Sequence, residues 1–258
     1  MNTLPGGQPD HAYFDTMAAV AQRHWWYQGR RALVADALAG RIRPGGCAFD
    51  VGCGTAETLE VLRRLGAEPA VGSDLSRYAL EHARRGAADP PPVLVSLAER
   101  LPVADGRLAV LTSMDVIEHL DDDLAALREY RRALEPGGVL LVTVPAYQWL
   151  WGEHDERAGH RRRYTPRRLR AVVEAAGFAI ERVTPFNSFL TPAAALMRRT
   201  PLRRLVRGAE DELSMASPLV NRIMSGLGTA ERALVRRGVR PPVGLSILLV
   251  GRVPGAIG

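Results

Sequence analysis

Short apolar runs alternate with amphipathic stretches through the middle of the chain. Brief apolar runs bounded by turn residues are typical of buried strands, and amphipathic stretches that end near Gly or Pro are typical of helices. The alternation therefore predicts βαβ units and a mostly parallel sheet with helices on both faces. The predicted strands are Ala48–Val51, Ala70–Asp74, Val93–Ser96, Leu108–Ser113, Val139–Val144, Phe178–Thr184 and, at the end of the chain, Val243–Val253. The predicted helices between them are Thr55–Leu65, Tyr78–Arg85, Asp122–Leu134 and Pro166–Ala176.

Both flanks of this alternating region carry a helical pattern. Residues Ala12–Leu38 predict one or two helices with an aromatic cluster, and a long helical region precedes the last strand. We expect a single α/β domain of four parts. These are an N-terminal helical cap at 1–40, a core at 41–186, a helical insertion at 187–240, and the last strand with a tail at 241–258.

Composition narrows the class of protein without identifying it. The 258 residues are 47% hydrophobic and 24% charged, which is typical of a globular protein. The longest uncharged stretches, 136–152 and 183–197, contain Pro or Gly and fall short of the roughly 20 apolar residues of a membrane span. The N-terminus lacks the pattern of a secretory signal, and Cys47 and Cys53 are too few for a disulfide framework. We therefore expect a cytoplasmic protein with reduced thiols.

The charge balance is basic, with 34 basic residues, all of them Arg, against 28 acidic ones and a net charge of +6. Such an excess fits an acidic substrate, an anionic membrane surface or nucleic acid, but a solvated face is the more frequent explanation. The charge concentrates in two segments, 157–170 and 198–207.

The strongest local motif is AFDVGCGTAETL at residues 48–59. A strand that runs into Gly52-Cys53-Gly54 and then a helix can bring a nucleotide close to bare backbone. Asp74 ends the next strand 22 positions after Gly52, near the offset at which an acid accepts from ribose hydroxyls. A tight turn without a ligand is the alternative.

Electrostatics separate two cofactor classes that share this arrangement. A dinucleotide places its pyrophosphate on the helix N-terminus, where the fingerprint keeps a third Gly, but this chain has Glu57 there and Asp50 just before the loop. A sulfonium cofactor has no phosphate and carries positive charge, so these acids suit it better. NAD remains the second hypothesis.

The ordered motifs resemble those of class I S-adenosylmethionine-dependent methyltransferases, particularly the large bacterial type 11-like group. The resemblance covers roughly residues 25–185 and rests on DVGCGTAETL, GSDLS (72–76), AERLPVADGRLAVLTSMDVIEHL (98–120), LEPGGVLLVTVP (134–145) and EHDERAGHRRRYT (153–165). It implies a Rossmann-like seven-stranded sheet and S-adenosyl-L-methionine as the cofactor, with S-adenosyl-L-homocysteine as the product. The residues that it implies for cofactor binding are Asp50, Gly52, Cys53, Gly54, Asp74, Leu75, Leu97, Ala98, Glu99, Met114 and Asp115.

The adenine loop departs from the family pattern. Members often have Asp before the Ala-Glu pair, where this chain has Leu97, which cannot accept a hydrogen bond from the adenine amino group. We expect apolar contact from Leu75 and Leu97 instead. Related proteins also use an N-terminal helix as a cap, so Trp26, Tyr27 and Arg30 are candidates for the methionine end, with packing of the cap as the alternative.

A second cluster, residues 145–165, follows a central strand and is a natural substrate wall. Its candidate substrate contacts are Trp149, Trp151 and Tyr164. General bases, which a hydroxyl or acidic carbon acceptor requires, are expected in the order His119, His154, His160. An equally weighted interpretation is that these polar groups hold the loop together. We expect no metal, because His154 and His160 with one acid between them lack a third ligand.

The expected function is methyl transfer to a small molecule in secondary metabolism or envelope biosynthesis, by in-line displacement. A non-methylating catalyst, for example of a cyclisation, or a regulator that binds the same cofactor is the main alternative. Nucleic acid is not an expected partner, because no base-flipping motif or recognition domain is present. The insertion is interpreted as a lid or a homodimer contact, with peripheral membrane contact through 190–207 as the alternative.

Overall fold

A twisted seven-stranded sheet forms the centre of the computed structural model, which describes residues 3–4, 8–9, 15–16, 19–85, 89–199 and 217–255. Its strands are β1 (Gly46–Val51), β2 (Ala67–Asp74), β3 (Val93–Val95), β4 (Leu108–Met114), β5 (Leu134–Pro145), β6 (Ala179–Phe186) and β7 (Ser246–Arg252). Two further strands of two residues each, Thr3–Leu4 and Gln8–Pro9, pair near the N-terminus.

The strand order is β3-β2-β1-β4-β5-β7-β6. Strands β1 to β5 pair in parallel, whereas β7 runs antiparallel to both β5 and β6. The chain winds outward from β1 to β3 and then returns to place β4 on the other side of β1. Ligands of such sheets bind outside the carboxyl ends of the strands where this reversal occurs, so the expected site lies at the ends of β1 and β4.

Eight helices carry labels in the described part of the chain. They are α1 (Trp25–Leu38), α2 (Glu57–Arg64), α3 (Arg77–Arg84), α4 (Asp123–Ala133), α5 (Glu153–Ala158), α6 (Pro166–Ala175), α7 (Thr191–Arg199) and α8 (Pro218–Arg236). Several start where a short polar side chain accepts from the first turn, as Ser76, Asp122, Thr165 and Ser217 do.

Apolar side chains cover both faces of the sheet. Residues of β5 alternate between the two layers: Leu140 packs with Leu127 of α4, and Leu141 packs with Leu38 of α1 and Leu62 of α2. All of these side chains are buried. Because both faces are covered, the central strands are apolar throughout, which explains their continuous apolar runs in the sequence.

The predicted α/β architecture is confirmed, with differences at element ends. Strand β5 begins at Leu134, five residues before the predicted start at Val139, because Leu134 pairs with Leu108. The short helix α5 has no counterpart in the sequence prediction. In the insertion, α7 and α8 are helical as expected, while residues 200–216, with Arg203, Arg204 and Arg207, lie outside the described residues.

In the part of the chain that the structure describes, every helix is too short or too polar to cross a membrane.

Candidate functional site

The turn after β1 requires glycine at its first position. Gly52 has a φ of 67°, and a Cβ placed on it would lie 2.4 Å from Cγ2 of Val116. Gly54 follows with a φ of 54°, and the Cys53 amide donates to the Ser73 carbonyl over 2.8 Å. The loop therefore presents bare backbone at the carboxyl end of the sheet, as the motif predicts.

Asp74 fixes this loop against the end of β2. Its Oδ2 accepts from the Gly54 amide over 2.9 Å and its Oδ1 accepts from the Ser76 amide over 2.8 Å. Burial raises the pKa of Asp74, against the opposing effect of these amide donors. Each carboxylate oxygen keeps a second lone pair, so the group can also accept from the hydroxyls of a ribose.

The surroundings of Asp74 fit an adenosine group. Leu75 and Leu97 are 47% and 54% exposed, which leaves apolar faces for a planar base. Ser73 Oγ and Ser96 Oγ are buried and have no hydrogen-bond partner among the described residues. Ser96 stands beside Leu97, at the place where the family pattern departs, and the sequence pattern gave its hydroxyl no role.

Asp50 lies beneath the loop and is almost fully buried. Thr112 Oγ1 donates to its Oδ1 over 2.5 Å. Burial raises the pKa of Asp50 to about 7, although the Thr112 hydrogen bond and the charge of Arg30 oppose the shift. Burial also raises the pKa of the Cys53 thiol, so Cys53 stays protonated and packs as a small apolar side chain.

Arg30 connects the cap helix α1 to the loop after β4. Its Nη2 donates to the Met114 carbonyl over 2.8 Å and lies 3.2 Å from Oδ2 of Asp115. Asp115 has a φ of 55°, uncommon for a residue with a side chain, and accepts from Thr143 Oγ1 over 3.2 Å. Arg30, a candidate for the methionine end, is therefore held by protein groups at the end of β4.

A cavity of about 280 Å³ opens beside Asp115 between α1 and α8. Trp25, Trp26 and Arg30 of α1 line one wall, and Met224 and Gly228 of α8 line the opposite one. Phe186, Asn187, Thr143 and Glu231 complete the lining, together with neighbouring residues of the two helices. Tyr27 is not among the lining residues and packs edge-on against His24.

Hydrogen bonds join the two helices that enclose this cavity. Asn221 Oδ1 accepts from the Trp25 amide over 2.8 Å, and its Nδ2 donates to the Arg23 carbonyl over 3.0 Å. Further along, Arg232 Nε lies 2.9 Å from Asp36 Oδ2. These contacts hold the insertion helix α8 against the cap helix α1. No local sequence signal predicted this pairing.

The three candidate bases lie together. The ring centroid of His160 is 4.7 Å from that of His119 and 5.7 Å from that of His154. Burial, followed by the neighbouring His160, lowers the pKa of His119 to about 4. His119 is therefore neutral near pH 7, and it holds an added proton weakly because its pKa lies well below that pH.

Two acids that the sequence analysis did not select as site residues complete this cluster. Glu118 is fully buried, and burial raises its pKa well above the usual range. Asp155 is also buried and binds His160 Nδ1 over 2.8 Å and Arg163 over 2.7 and 2.9 Å. Burial alone would raise the pKa of Asp155, but the hydrogen bonds from His160 and Arg163 hold it well below the usual range.

The arginines after this cluster hold loops together. Arg161 pairs with Asp121, Arg162 pairs with Asp123, and Arg163 pairs with Asp155. The first of these also donates from its amide to the Glu118 carbonyl over 2.8 Å. These contacts fit the interpretation in which the polar groups of this segment hold the loop together.

The predicted substrate wall divides into exposed and buried aromatic residues. Trp149 is 42% exposed and stacks on Tyr147, with the centroids 5.7 Å apart, and Trp151 is partly buried. Tyr164 is fully buried in the core, where its hydroxyl donates to Asp123 Oδ2 over 2.6 Å. This corrects the expectation of a substrate contact at Tyr164, because core packing excludes a substrate from that side chain.

Comparison with known proteins finds similarity to methyltransferases. The family model described as a methyltransferase domain matches residues 22–183. A probable S-adenosylmethionine-dependent methyltransferase of Mycolicibacterium smegmatis is 30% identical over 70% of this chain and 69% of its own length. A ubiquinone biosynthesis O-methyltransferase of Xanthomonas campestris is 30% identical over 50% of this chain. The aligned region covers 59% of that relative, which is less than two thirds of its length.

Among solved structures, the [4+2]-cyclase SpnF superposes with a TM-score of 0.63. The alignment covers 99% of this chain and 98% of the cyclase at 21% sequence identity. At 21% identity this similarity shows a shared fold and does not extend to the activity.

Proposed function

Because the chain belongs to the methyltransferase-domain family of class I S-adenosylmethionine-dependent proteins, we propose that it methylates a small molecule held in the cavity between α1 and α8. Membership of this family makes S-adenosyl-L-methionine the cofactor and replaces the NAD hypothesis. The acceptor, the pathway and the displacement mechanism are the parts that we propose.

The position of the cavity supports the proposal most directly. Val51 of β1 pairs with Ser113 of β4, so Gly52 and Asp115 lie at the same edge of the sheet. Gly52 contacts Val116, and the adjacent Asp115 lines the cavity. A small molecule in the cavity would therefore lie beside the loop that binds the methionine part of the cofactor.

Asp74, Leu75 and Leu97 would hold the adenosine part, and the backbone of Gly52 and Gly54 would accommodate the methionine part. When bound, the cofactor supplies an electrophilic methyl group for in-line transfer, and S-adenosyl-L-homocysteine is the product. The role of the protein is to position the acceptor and exclude water. Helices α1 and α8 perform both tasks because they enclose the acceptor and are fastened together by Asn221 and Arg232.

A hydroxyl acceptor is our preferred class, which the similarity to the ubiquinone biosynthesis O-methyltransferase supports. Such an acceptor must lose a proton, and we propose that one of His119, His154 and His160 takes it. These imidazoles are not among the residues that line the cavity, so the acceptor must extend beyond the cavity to reach them. Transfer that stays unchanged when each of the three is replaced by Ala would eliminate the base and leave acceptor positioning as the mechanism.

The insertion acts as a lid in this proposal, since α8 forms a wall of the cavity. Homodimerisation and binding to anionic lipid through residues 190–207 remain alternatives. Analytical ultracentrifugation tests the first. Cosedimentation with anionic and neutral vesicles at low salt tests the second, and equal lack of binding to both would eliminate it.

The experiment is methyl transfer by the purified chain. The protein is incubated with S-adenosyl-L-methionine labelled in the methyl group and with phenolic and other hydroxylated small molecules. We expect labelled product and S-adenosyl-L-homocysteine in equal amounts. Cofactor binding by calorimetry with no transfer to any acceptor would instead favour a non-methylating catalyst or regulator, and absence of cofactor binding would contradict the proposal altogether.

A further inference from the structure

Glu118 is buried without a partner, which needs a physical explanation. Its side chain is 0% exposed, and neither Oε1 nor Oε2 has a hydrogen-bond partner among the described residues. Buried polar groups in native proteins are almost always bonded, and an uncompensated carboxyl in the interior is costly. The residues around Glu118 indicate which group offsets the cost of burying its carboxyl.

Two imidazoles lie next to this carboxyl. One ligand atom each of Glu118, His119 and His160 lies within 4.8 Å of the other two. Glu118 and His119 belong to the short helical turn Ile117–His119 after β4, whereas His160 follows α5. Of the pair His154 and His160, only His160 belongs to this group, and the other two ligands come from a different loop.

His160 is oriented by a carboxylate outside the cluster. Its Nδ1 lies 2.8 Å from Asp155 Oδ1, which leaves Nε2 for the cluster. Histidines that bind metals typically donate their second ring N–H to a carboxylate or carbonyl in this way. The arrangement therefore has a set of three ligands and a group that orients one of them.

We propose that Glu118, His119 and His160 bind a divalent transition-metal ion of the Zn²⁺ class. Two imidazoles and one carboxylate suit Zn²⁺, whereas Mg²⁺ and Ca²⁺ prefer all-oxygen sites. Zinc ligands lie about 2.0–2.2 Å from the ion, so small side-chain rotations close the cluster and leave a fourth position for water. The ion would neutralise Glu118 and join the loop after β4 to the loop after α5. It would also occupy His119 and His160, which leaves His154 as the base.

Calorimetry on the full chain tests the site directly. Protein stripped with a chelator is titrated with Zn²⁺ alone, and elemental analysis after dialysis gives the stoichiometry. We expect one ion per chain. Replacement of Zn²⁺ by Co²⁺ should give visible absorption bands typical of nitrogen and oxygen ligands, a signal that needs no variant.

Variants connect this binding to the proposed ligands. Glu118→Gln keeps the shape of the side chain. This variant and His160→Ala should each weaken Zn²⁺ binding at least roughly tenfold. His82→Ala is the matched control, because His82 also pairs with an acid, Asp15 at 2.7 Å, but lies outside the cluster. Its Zn²⁺ affinity should equal that of the wild type.

Thermal unfolding distinguishes loss of the ligand from loss of the fold. Zn²⁺ should raise the Tm of the wild type and of His82→Ala, and raise the Tm of Glu118→Gln by less at the same Zn²⁺ concentration. If Glu118→Gln does not fold, the effect of Zn²⁺ on the Tm is compared between His160→Ala and the wild type. Lack of stoichiometric Zn²⁺ binding, or the same affinity in both cluster variants as in the wild type, would overturn the proposal. Cofactor binding is measured separately, so failure of the metal site leaves the proposed methyl transfer standing.

Discussion

At the scale of the residue, Gly52 combines a φ of 67° with no space for a Cβ, which would lie 2.4 Å from Val116 Cγ2. Gly52→Ala must move the loop or the segment after β4. Because a cost of about 1.4 kcal/mol reduces affinity tenfold, we expect S-adenosyl-L-homocysteine to bind at least roughly tenfold more weakly, as measured by calorimetry.

Gly45→Ala is the control for this prediction. Gly45 has a similar φ of 72°, but a Cβ there would meet nothing within 4 Å. The control therefore shares the left-handed backbone strain, roughly 1–2 kcal/mol, without the clash. Equal cofactor affinity in the two variants would show that the contact with Val116 does not matter.

Asp50 should make cofactor binding depend on pH. Its pKa of about 7 means that the carboxyl is largely neutral below that pH and largely ionised above it. S-adenosyl-L-methionine carries an ammonium and a sulfonium, which the ionised form attracts. We therefore expect the affinity to rise as the pH increases from about 6 to about 8, in a calorimetric titration series.

Asp50→Asn isolates this effect, because the amide oxygen still accepts from Thr112 but the side chain no longer titrates. The amino group of the cofactor titrates identically with either protein. The pH dependence should therefore be smaller in the variant, and identical slopes for the two proteins would assign it to another group.

At the scale of the element, helix α5 and the segment after it depend on one buried ion pair. The side chains of Asp155 and Arg163 are 0% and 5% exposed, and Asp155 also accepts from the Gly152 amide over 2.8 Å. Asp155→Asn leaves Arg163 buried without a counter-ion. We expect the free energy of unfolding in urea to fall by about 3–5 kcal/mol at pH 7.

The low pKa of Asp155 gives this difference a pH dependence. A carboxyl whose pKa is lower in the folded state stabilises the protein above its unfolded pKa of about 3.9, and this contribution is lost as the pH falls. The stabilities of wild type and variant should therefore converge under acid conditions.

Arg157→Ala serves as the comparison, because the Glu153–Arg157 pair belongs to the same helix but is about 40% exposed. We expect a change of less than about 1 kcal/mol. A loss as large as that of Asp155→Asn would assign the effect to the helix rather than to the buried pair.

Elements differed in how well the sequence predicted them. Strands such as β4 are apolar throughout because both sheet faces are covered. Helices such as α4 and α6 have polar caps and turn residues at their ends. The sequence pattern therefore located these strands and helices within a residue or two. Helix α5 spans only Glu153–Ala158 and is too short to show a period. Its stability comes from the Asp155 contacts, which depend on tertiary structure.

At the scale of the whole molecule, the nucleotide loop and the cavity differ in how they arise. The loop residues Gly52, Gly54 and Asp74 are close in sequence and follow a local motif, so sequence alone predicted their grouping. The walls of the cavity are about 200 residues apart: Trp25 hydrogen-bonds to Asn221, 196 positions away. No local pattern encodes that pairing. The same applies to Glu118 and His160, which only the packing of two loops brings together.

The cavity leads to a prediction that separates acceptor binding from cofactor binding. Gly228 on α8 lines the cavity, and a Cβ placed there would meet nothing within 4 Å. Gly228→Leu should therefore fill the acceptor space without distorting the backbone. We expect acceptor-dependent production of S-adenosyl-L-homocysteine to fall at least roughly tenfold, which corresponds to about 1.4 kcal/mol, with cofactor affinity unchanged.

Gly226→Leu is a closely matched control, because Gly226 is on the same helix, also has open space around its Cα, and does not line the cavity. Both substitutions replace a helical Gly, so both should raise the free energy of unfolding by up to about 1 kcal/mol. Their stabilities should then agree while their activities differ. Full activity in Gly228→Leu would place the acceptor elsewhere and leave the α1–α8 cavity without a role in transfer.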